Sequence, residues 1–517
     1  MLLLLQGIIK SIIHTKVEHT MKQRRYKPTL ERTQALLLPE RVEDYVGENH
    51  QVRALDAYVD TLDLGALGFK RTETSTVAGQ PPYNPWSMLK LYLYGYQHGI
   101  RSSRKLEAET RRNLEVIWLV KGMRPSYKSI ADFRKDHVVQ LREVNRDFVL
   151  LCRELSLFGG EEVAVDGSFF SADASRGSIQ TEGYVEKELE RIEKKIEEYH
   201  RALEETDAAD EKAGKQDVGN DEVLREKIEK LKRRQEEKRE LKSRMERSGQ
   251  TQVSVVDPDA RLLRKPGQSV AGYNAQIAVD SKHKLVVAEQ VVQDSTDHHQ
   301  LAGMLTEAKE RLEVKRLTGL ADGGYYESTQ LKRCEDEDIT VYVPVPDTGA
   351  GIRNRGRYAV DEFNYDAQGD YYRCPKGKRL TPCKETIRRS GKRYVLYMSR
   401  SVECKACSMR SRCMGEKARV RIIQRWEHQE VLDRHAERME RGAGKMKERG
   451  KIVEHPFGTL KNRCGIHQFL MRGLEKCRGE FSLMTMAYNF TRALNILGAQ
   501  KLREYCAGRR VYGPQMA

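Results

Sequence analysis

The stretch Val163-Ala164-Val165-Asp166-Gly167-Ser168-Phe169-Phe170 decides the fold of this chain. It is an apolar run rich in β-forming residues, bounded by acidic residues upstream and by serine, alanine and aspartate downstream, so it predicts a buried strand. One carboxylate, Asp166, interrupts the run, and a buried carboxylate is costly unless it is paired or binds a cation. The plainer interpretation is a strand that ends at an Asp-Gly turn. Partners for Asp166 elsewhere in the chain would favour a functional role.

Length and composition limit the class of protein. A chain of 517 residues has room for about three domains. The formal net charge of +16 favours a polyanionic partner, nucleic acid before a membrane surface. Ten cysteines in so long a chain do not make a disulfide-rich secreted scaffold.

The apolar N-terminus imitates the core of a signal peptide, but Gly7 and Lys10 interrupt it and no convincing cleavage site follows. We expect residues 1–20 to be an extension without a function. The protein is predicted to be cytoplasmic and associated with the nucleoid, with no membrane partner.

Residues 21–158 are predicted to form a helical DNA-binding domain. Apolar residues recur at spacings of three and four after Val52, and again after Pro85. Between Arg101 and Val144 there are eleven Lys and Arg residues against six Asp and Glu residues. Short helices with basic faces and tight polar turns suit a helix-turn-helix-like reader of DNA. The alternative is a structural bundle with a solvated face.

A mixed α/β sheet is predicted over residues 159–183 and 249–345. The apolar segments 272–280 and 284–292 flank a turn and predict a β-hairpin, and Asp297 with Gln300 suggests a helix N-cap pair. Next, Leu317 to Asp322 predicts another buried strand that ends in a carboxylate. A helix over 328–335 and a strand over 339–344 follow. The sheet would then carry aspartates at the ends of two of its strands.

Two insertions interrupt this core. Residues 184–248 are almost entirely charged, with apolar residues three and four apart, which predicts a coiled-coil helical hairpin. Its use is open between dimer contact, DNA clamping and a merely solvated insertion. Residues 346–424 form a basic, cysteine-rich insertion. Between Ile352 and Arg425 there are twenty Lys and Arg residues against seven Asp and Glu residues, a net charge of +13.

Four cysteines of this second insertion, Cys374, Cys404, Cys407 and Cys413, could bind zinc as thiolates, since Cys-x2-Cys supplies the usual ligand pair. The spacing of the other two is irregular. Reduced free thiols are the main alternative, and an iron–sulfur site is a further one. The fifth cysteine, Cys383, has no assigned partner.

Residues 425–500 are predicted to be helical and to complete the core, with a tail over 501–517. Here Glu454 and Lys461 lie seven residues apart, which would place them on one helical face. Two strand-borne aspartates and a late glutamate suit two-metal phosphoryl chemistry, in which hard carboxylate oxygens hold two Mg²⁺ ions about 4 Å apart. The lysine could then meet a DNA phosphate while the glutamate meets metal.

Four motifs resemble those of the DDE transposases of bacterial insertion sequences. They are Val-Asp166-Gly-Ser, Leu-Ala-Asp322-Gly-Gly-Tyr, Val-Glu454-His-Pro-Phe-Gly-Thr-Leu-Lys461 and Ala-Tyr488-Asn. The segment that begins at Gly99 is similar to the helical N-terminal domain of the same group, and the resemblance covers residues 30 to 500.

The resemblance implies a ribonuclease H-like core in which Asp166, Asp322 and Glu454 are the catalytic metal ligands. Two Mg²⁺ ions are the expected cofactors, with Mn²⁺ as a substitute. The implied partners are double-stranded DNA, as transposon ends and target, and a second copy of the chain in the synaptic complex. Related groups carry an arginine four residues before the glutamate. Here Gly450 takes that place and Arg449 stands one position further back, which puts the role of the arginine in doubt.

Ten cations are candidate DNA contacts: Lys461, Arg463, Arg449, Arg101, Arg104, Lys105, Arg111, Arg112, Lys128 and Arg134. Two rival interpretations remain. One is an inactive or domesticated DNA-binding protein that keeps the fold. The other is a metal-dependent nuclease that cleaves without strand transfer.

Overall fold

The computed structural model describes residues 41–72, 81–213, 218–265, 267–388 and 390–509. The predicted extension over residues 1–20 and the last part of the predicted tail lie outside the described residues. By its contacts the chain divides into two compact units, Met1–Gly47 and Glu48–Ala517. The first contains a 3-10 turn at Val42–Tyr45, and the second contains the helices and sheets. No helix of the described part is long and apolar enough to cross a membrane.

The second unit begins with helices, alternates strands and helices, and ends in helices. The helices are α1 (Gln51–Asp60), α2 (Pro85–Gln97), α3 (Ser103–Arg112), α4 (Leu114–Leu119), α5 (Tyr127–Asp136), α6 (Val138–Glu154), α7 (Glu182–Ala213), α8 (Val218–Ser248), α9 (Leu301–Leu312), α10 (Ser328–Asp336), α11 (Ala350–Arg353), α12 (Ser401–Lys405), α13 (Arg410–Cys413), α14 (Gln429–Arg441), α15 (Lys445–Gly458), α16 (Leu474–Leu497) and α17 (Ala499–Ala507). The strands are β1 (Glu162–Ser171), β2 (Ile179–Thr181), β3 (Gln252–Ser254), β4 (Arg261–Lys265), β5 (Gln268–Asp280), β6 (Val286–Val292), β7 (Leu317–Leu320), β8 (Ile339–Tyr342), β9 (Asn364–Asp366), β10 (Tyr371–Arg373), β11 (Arg379–Ile387), β12 (Arg393–Ser399) and β13 (Ile422–Trp426).

The N-terminal helices α1 to α6 follow from apolar residues at helical spacing, whose side chains are buried in a common core. Asn84 begins α2 by accepting a hydrogen bond from the Ser87 amide at 3.3 Å, and Pro85 occupies the first helical position, where its fixed φ fits. Ser126 begins α5 in the same way, accepting from the Ser129 amide. The predicted helical character of this region is confirmed.

The central sheet is mixed, with six strands among the described residues. Strand β5 lies between β1 on one side and β4 and β6 on the other, and β7 and β8 continue the sheet beyond β1. Strand β1 pairs antiparallel with β5 and parallel with β7, which pairs parallel with β8. The predicted hairpin is formed by β5 and β6, and α9, β7, α10 and β8 follow in the predicted order. The mixed α/β class is confirmed.

Asp166 lies in the middle of β1 and not at its end. The strand continues to Ser171, and Asp166 stands opposite Ile277 of β5. The interpretation of an Asp-Gly turn is therefore wrong, as is the expectation that both aspartates end strands. Only Asp322 fits that expectation, since it follows β7 by two residues.

The predicted N-cap pair before α9 is also wrong. Gln300 precedes this helix without a capping hydrogen bond from its side chain, and its amide group donates to Asp294 at 2.9 Å instead. Asp297 turns inward and its side chain is almost completely buried.

The two long helices α7 and α8 lie side by side and antiparallel, as predicted for the charged segment. Glu186 pairs with Lys242 at 2.9 Å, and Glu188 pairs with Arg234 at 2.6 Å. The short strands β2 and β3 pair at the base of these helices. The connecting residues 214–217 lie outside the described part of the chain.

A second sheet, antiparallel, is formed by β9 to β13 within the basic cysteine-rich segment. Its small hydrophobic core consists of Phe363, Tyr372, Leu380, Tyr397 and Ile423. Helices α12 and α13 lie between β12 and β13 in the sequence and carry cysteines.

Helix α16 connects the parts of the second unit, since it contacts α2, α6 and β6. The side chain of Asn489 on this helix binds the backbone of β6 as a neighbouring strand would. Its side-chain oxygen accepts from the Val286 amide and its side-chain nitrogen donates to the Val286 carbonyl, both at 2.8 Å. This pair of bonds fixes α16 against the central sheet.

Glu480, fully buried on α16, joins the N-terminal helices to the C-terminal part of the chain. Its carboxylate accepts hydrogen bonds from the amides of Leu470 and Met471 at 2.9 and 3.0 Å. The guanidinium groups of Arg101 and Arg134 lie 3.4 and 3.9 Å from the same carboxylate. A buried charge is tolerated here because it has both hydrogen-bond donors and cations around it.

Glu480→Gln should lower the free energy of unfolding by about 3 to 5 kcal/mol, because it leaves the buried Arg134 cation without its counter-ion. Urea denaturation of the variant and wild type measures this difference. The matched control is Glu475→Gln on the same helix, whose exposed carboxylate pairs with Arg142 and Arg478 at the surface, and which should change stability by less than about 1 kcal/mol. Equal effects of the two variants would contradict the structural role of Glu480.

Candidate active site

The two predicted catalytic aspartates are borne by neighbouring parallel strands. Asp166 lies on β1, and Asp322 lies just past β7, whose Leu320 pairs with Ala164 of β1. The Asp322 carboxylate accepts a hydrogen bond from the Gly324 amide at 2.8 Å, which begins a tight 3-10 turn. The sheet thus places both carboxylates at one site, as the sequence predicts.

Arg449 of α15 binds both aspartates. Its Nη2 lies 2.9 Å from Asp166 Oδ1 and 3.3 Å from Asp322 Oδ2. Helix α15 packs across β1, β5 and β7, and this packing brings the guanidinium to the carboxylates. Arg449 stands one position before the place of the arginine in related groups, yet its guanidinium binds both carboxylates.

The pKa of Asp166 is raised to about 6. Burial is the largest cause, Arg449 opposes it, and the charge of Asp322 adds to the increase. The acidic pair is therefore an unfavourable place for two negative charges and a favourable place for a cation.

Glu454 does not join the two aspartates in this conformation. It is exposed on α15, and its Oε1 lies only 3.3 Å from the position that a Cβ of Gly450 would take, so the carboxylate is directed back along its own helix. Among the described residues, no three His, Cys, Asp or Glu side chains are arranged to hold one metal ion. The structure thus assembles two members of the predicted triad and leaves the third on an adjacent helix.

Lys461 is bound to β1 and does not share a regular helical face with Glu454. A π-helical turn at Thr459–Arg463 follows α15 and changes the helical register. The prediction from the seven-residue spacing assumed a regular α-helix from Glu454 to Lys461. The Lys461 ammonium donates to Ser168 Oγ at 2.6 Å and to the Phe169 carbonyl at 2.7 Å. Because residues i and i+2 of a strand share a face, this ammonium lies on the face of β1 that carries Asp166.

Burial lowers the pKa of Lys461, and the nearby Lys265 lowers it further, while Asp166 raises it. The lysine is consequently a partly desolvated cation beside the acidic pair.

A buried polar network lies on the opposite face of β1, and the sequence did not reveal it. Asp297 accepts hydrogen bonds from the side-chain amides of Asn274 and Gln276, both at 2.7 Å, and Lys265 lies 3.4 Å away. The Tyr325 hydroxyl donates to the side-chain oxygen of Gln276. A sequence signal existed, since Asn274 and Gln276 are polar residues at alternate positions of an otherwise apolar strand.

This network explains the glycine after Asp166. A Cβ on Gly167 would lie 2.2 Å from the Gln276 amide nitrogen and 2.8 Å from Asp297 Oδ1, so no side chain fits. The other oxygen of Asp297 would lie 3.7 Å from a Cβ on Gly324, in the turn that holds Asp322. Asp297 therefore lies between the strand of the first aspartate and the turn of the second.

The candidate DNA contacts separate into buried and exposed cations. Arg134 and Arg101 bind Glu480, and Arg101 also donates to the Gln468 carbonyl at 2.8 Å. Their side chains are only 9% and 13% exposed, so we correct both to structural residues. The exposed candidates are Arg104, Lys105, Arg111, Arg112, Lys128 and Arg463.

Two family descriptions match parts of this chain. Residues 40–136 match a family described as "Transposase domain (DUF772)". Residues 373–494 match one described as "Transposase DDE domain", and this narrows the assignment. The chain thus carries a DDE transposase domain, which implies an enzyme of DNA cleavage and strand transfer. The second match includes Glu454 but begins after both aspartates.

Among solved structures, the chain is similar to one described as "Cryo-EM structure of piggyBac transposase synaptic complex with hairpin DNA (SNHP)". The identity is 10%, the TM-score is 0.31, and the alignment covers 89% of this chain and 79% of that chain. No curated protein matches the sequence.

Asp166→Asn should stabilise the metal-free protein at pH 7. A carboxyl whose pKa rises from 3.8 to about 6 on folding binds more protons in the folded state, so its contribution to stability falls as the pH rises between these values. Removal of the charge should raise the free energy of unfolding by about 1 to 3 kcal/mol at pH 7 and by nothing near pH 3.

Thermal denaturation in EDTA at both pH values measures this difference. Added Mg²⁺ should stabilise the wild type more than the variant. Asp173→Asn is the control, since this carboxylate lies just past β1 in a surface ion pair with Arg472. A lower melting temperature of Asp166→Asn at pH 7 in EDTA would contradict the expectation.

Asp297→Asn should lower the rate of strand transfer at least tenfold, because a neutral amide oxygen accepts from Asn274 and Gln276 more weakly than a carboxylate does. Lys265 also loses its counter-ion, which weakens the common support of the two aspartate-bearing segments. The stability loss should be about 1 to 3 kcal/mol. Strand-transfer rates measured well below the melting temperature of the variant separate its effect on the reaction from its effect on stability. Asp294→Asn, an exposed neighbour, is the control, and an unchanged rate for Asp297→Asn would refute a positioning role.

Proposed function

We propose that this chain is the transposase of a bacterial insertion sequence, that it binds the terminal repeats, cleaves the DNA at the ends and joins the freed 3′-hydroxyl to target DNA. The observation that carries the proposal is the pair of aspartates Asp166, on β1, and Asp322, just after the adjacent β7, which share Arg449 as a cationic partner. Its place of action is the nucleoid DNA of the cytoplasm.

The donor set fits divalent metal ions. Carboxylate oxygens are the ligands that Mg²⁺ prefers, and Mn²⁺ accepts the same ligands. The raised pKa of Asp166 and the binding of both carboxylates to Arg449 indicate that this place favours positive charge. Asp166, Asp322 and Glu454 would hold the ions, which would activate the attacking hydroxyl or water and stabilise the leaving oxygen.

The sheet supports a ribonuclease H-like core. Three antiparallel strands, β6, β5 and β1, are followed by two parallel ones, β7 and β8, with α9 between β6 and β7 and α10 between β7 and β8. The aspartates lie on the first strand and after the fourth strand of this order. This order supports the roles that the resemblance implies for the two aspartates.

The other residues of the site hold substrate and ligands in place. Lys461, fixed to β1 by two hydrogen bonds, presents a cation on the same face as Asp166, where it can meet a phosphate of bound DNA. Arg449 compensates the acidic pair in the absence of metal and must yield at least one carboxylate when metal binds. Glu454 reaches the aspartates by a change in its side chain and in the position of α15.

Double-stranded DNA would lie along the exposed cations of the N-terminal helices and Arg463. Lys105 and Lys128 are exposed on α3 and α5, and contacts of this kind with phosphates fix the register without reading sequence. Because two ends must be brought together, the reacting complex contains at least two copies of the chain.

The test uses the full chain, Mg²⁺ and linear DNA that carries the terminal repeats of the element encoding it. Wild type should cleave at the repeat ends and produce strand-transfer products, and these should disappear when EDTA replaces Mg²⁺. Asp166→Asn, Asp322→Asn and Glu454→Gln should each lower the rate by more than about a thousandfold while DNA binding persists, since electrostatic stabilisation of the transition state is lost.

Asp173→Asn is the control and should keep wild-type activity. Cleavage without joined product would favour the rival nuclease. Repeat binding without cleavage would favour the inactive DNA-binding protein.

A further inference from the structure

The basic segment over residues 346–424 contains four partly buried cysteines that the proposed chemistry does not use. Cys374 follows β10, Cys404 lies in α12, Cys407 lies in the turn after α12, and Cys413 ends α13. All four are free thiols of intermediate exposure. They come from three separate pieces of the chain, so the fold of the segment decides whether they lie close together.

Contacts within the second sheet connect the pieces of chain that carry the four cysteines. Cys374 and Cys413 pack against the same hydrophobic core. The Cys404 thiol donates to Ser399 Oγ at 3.0 Å, and the same oxygen accepts from the Arg421 amide at 2.8 Å. The Arg421 guanidinium donates to the Cys413 carbonyl at 3.1 Å. Cys407 precedes α13 by three residues, and its carbonyl accepts from the amide of the first residue of that helix at 3.2 Å.

Tight backbone turns present the cysteines. The Gly377 amide donates to the Cys374 carbonyl at 2.7 Å, and the Cys374 amide donates to the Lys378 carbonyl at 2.9 Å. Gly377 has a φ of +74°, which favours glycine. In the second turn the Cys407 amide approaches the Cys404 carbonyl at 3.4 Å, which brings both ends of the Cys-x2-Cys pair to one side.

The basic segment has little hydrophobic core to hold it together. Its hydrophobic core is small, and domains of about 70 to 80 residues commonly need disulfides or a structural metal in addition to such a core. The described cysteines form no disulfide. Helices α12 and α13, of five and four residues, are too short to be stable alone.

The surrounding charge suits a thiolate centre. Four thiolates around a divalent ion carry a net charge of about −2, and twenty Lys and Arg residues against seven Asp and Glu residues lie between Ile352 and Arg425. One of these cations is Arg421, whose guanidinium donates to the Cys413 carbonyl at 3.1 Å.

We propose that Cys374, Cys404, Cys407 and Cys413 bind one structural Zn²⁺ as four thiolates and thereby join β10, α12 and α13. The thiol protons pass to solvent when the ion binds. In the described residues no three such side chains are arranged to hold one metal ion, so zinc binding requires the cysteine side chains to change their torsion angles. Zinc is the metal for a tetrahedral sulfur set that includes a Cys-x2-Cys pair.

Metal analysis of the full-length protein tests the proposal. Wild type from zinc-supplemented cells, purified without chelator, should contain about one zinc per chain. Cys404→Ser and Cys413→Ser should each lose most of it. Cys383→Ser is the matched control, because this cysteine belongs to the same sheet but is exposed, with its thiol directed at the Leu396 carbonyl at 3.2 Å. Wild type without zinc, or equal loss in Cys383→Ser, overturns the proposal.

Cobalt substitution keeps the proposal falsifiable if the serine variants fail to fold. Wild type reconstituted with Co²⁺ should show the intense visible bands of a tetrahedral thiolate site, and added Zn²⁺ should remove them. An iron–sulfur absorption spectrum in the purified protein, or cobalt bands typical of six oxygen ligands, overturns it. Both readouts are independent of strand transfer, so their failure is distinct from failure of the proposed function.

Discussion

The repulsion between the carboxylates of Asp166 and Asp322 is the constraint on which the candidate site depends. Adjacent parallel strands bring the two acids together, and burial of Asp166 makes its charged form costly. In this structure Arg449 supplies the compensating charge, from a helix that begins almost three hundred residues after β1. The last third of the chain is thereby tied to the first strand. A guanidinium on a flexible side chain can also withdraw, which two strand-borne carboxylates cannot do.

Other buried charges fix the frame around this pair. Glu480 holds the N-terminal helices to α16, and Asp297 holds β5 against the segments that bear the two aspartates. Such groups are poor sources of stability, because their desolvation offsets much of the attraction, but they tolerate few alternative arrangements. The same reasoning explains the glycine after Asp166, where the Asp297 network fills the space of a side chain.

The sequence predicted those parts of the fold that depend on local pattern. Strand β1, the β5–β6 hairpin and the pair of long charged helices follow from alternation or helical spacing of apolar residues, and the structure contains them. Tertiary contacts decided the rest. Asp297 and Gln300 fit a capping pattern, yet Asp297 faces polar side chains of β5 that are distant in sequence. Arg101 and Arg134 looked like surface cations because the buried acid that binds them lies more than 340 residues further on. The π turn that contains Lys461 changed the helical register, whereas the prediction from the seven-residue spacing assumed a regular α-helix.

The position of Arg449 relative to Glu454 has a geometric consequence for the site. At 3.6 residues per turn, residues five apart on a helix point about 140° away from each other, whereas residues four apart differ by only about 40°. An arginine at position 450 would share a face with Glu454, but Gly450 stands there and Arg449 is one step back. In this chain the arginine and the glutamate therefore cannot face the aspartates together from one fixed setting of α15. Arg449 faces them here, and Glu454 is exposed, as this geometry requires. In the described conformation the one-residue shift thus places Arg449, and not Glu454, on the side of α15 that faces the aspartates.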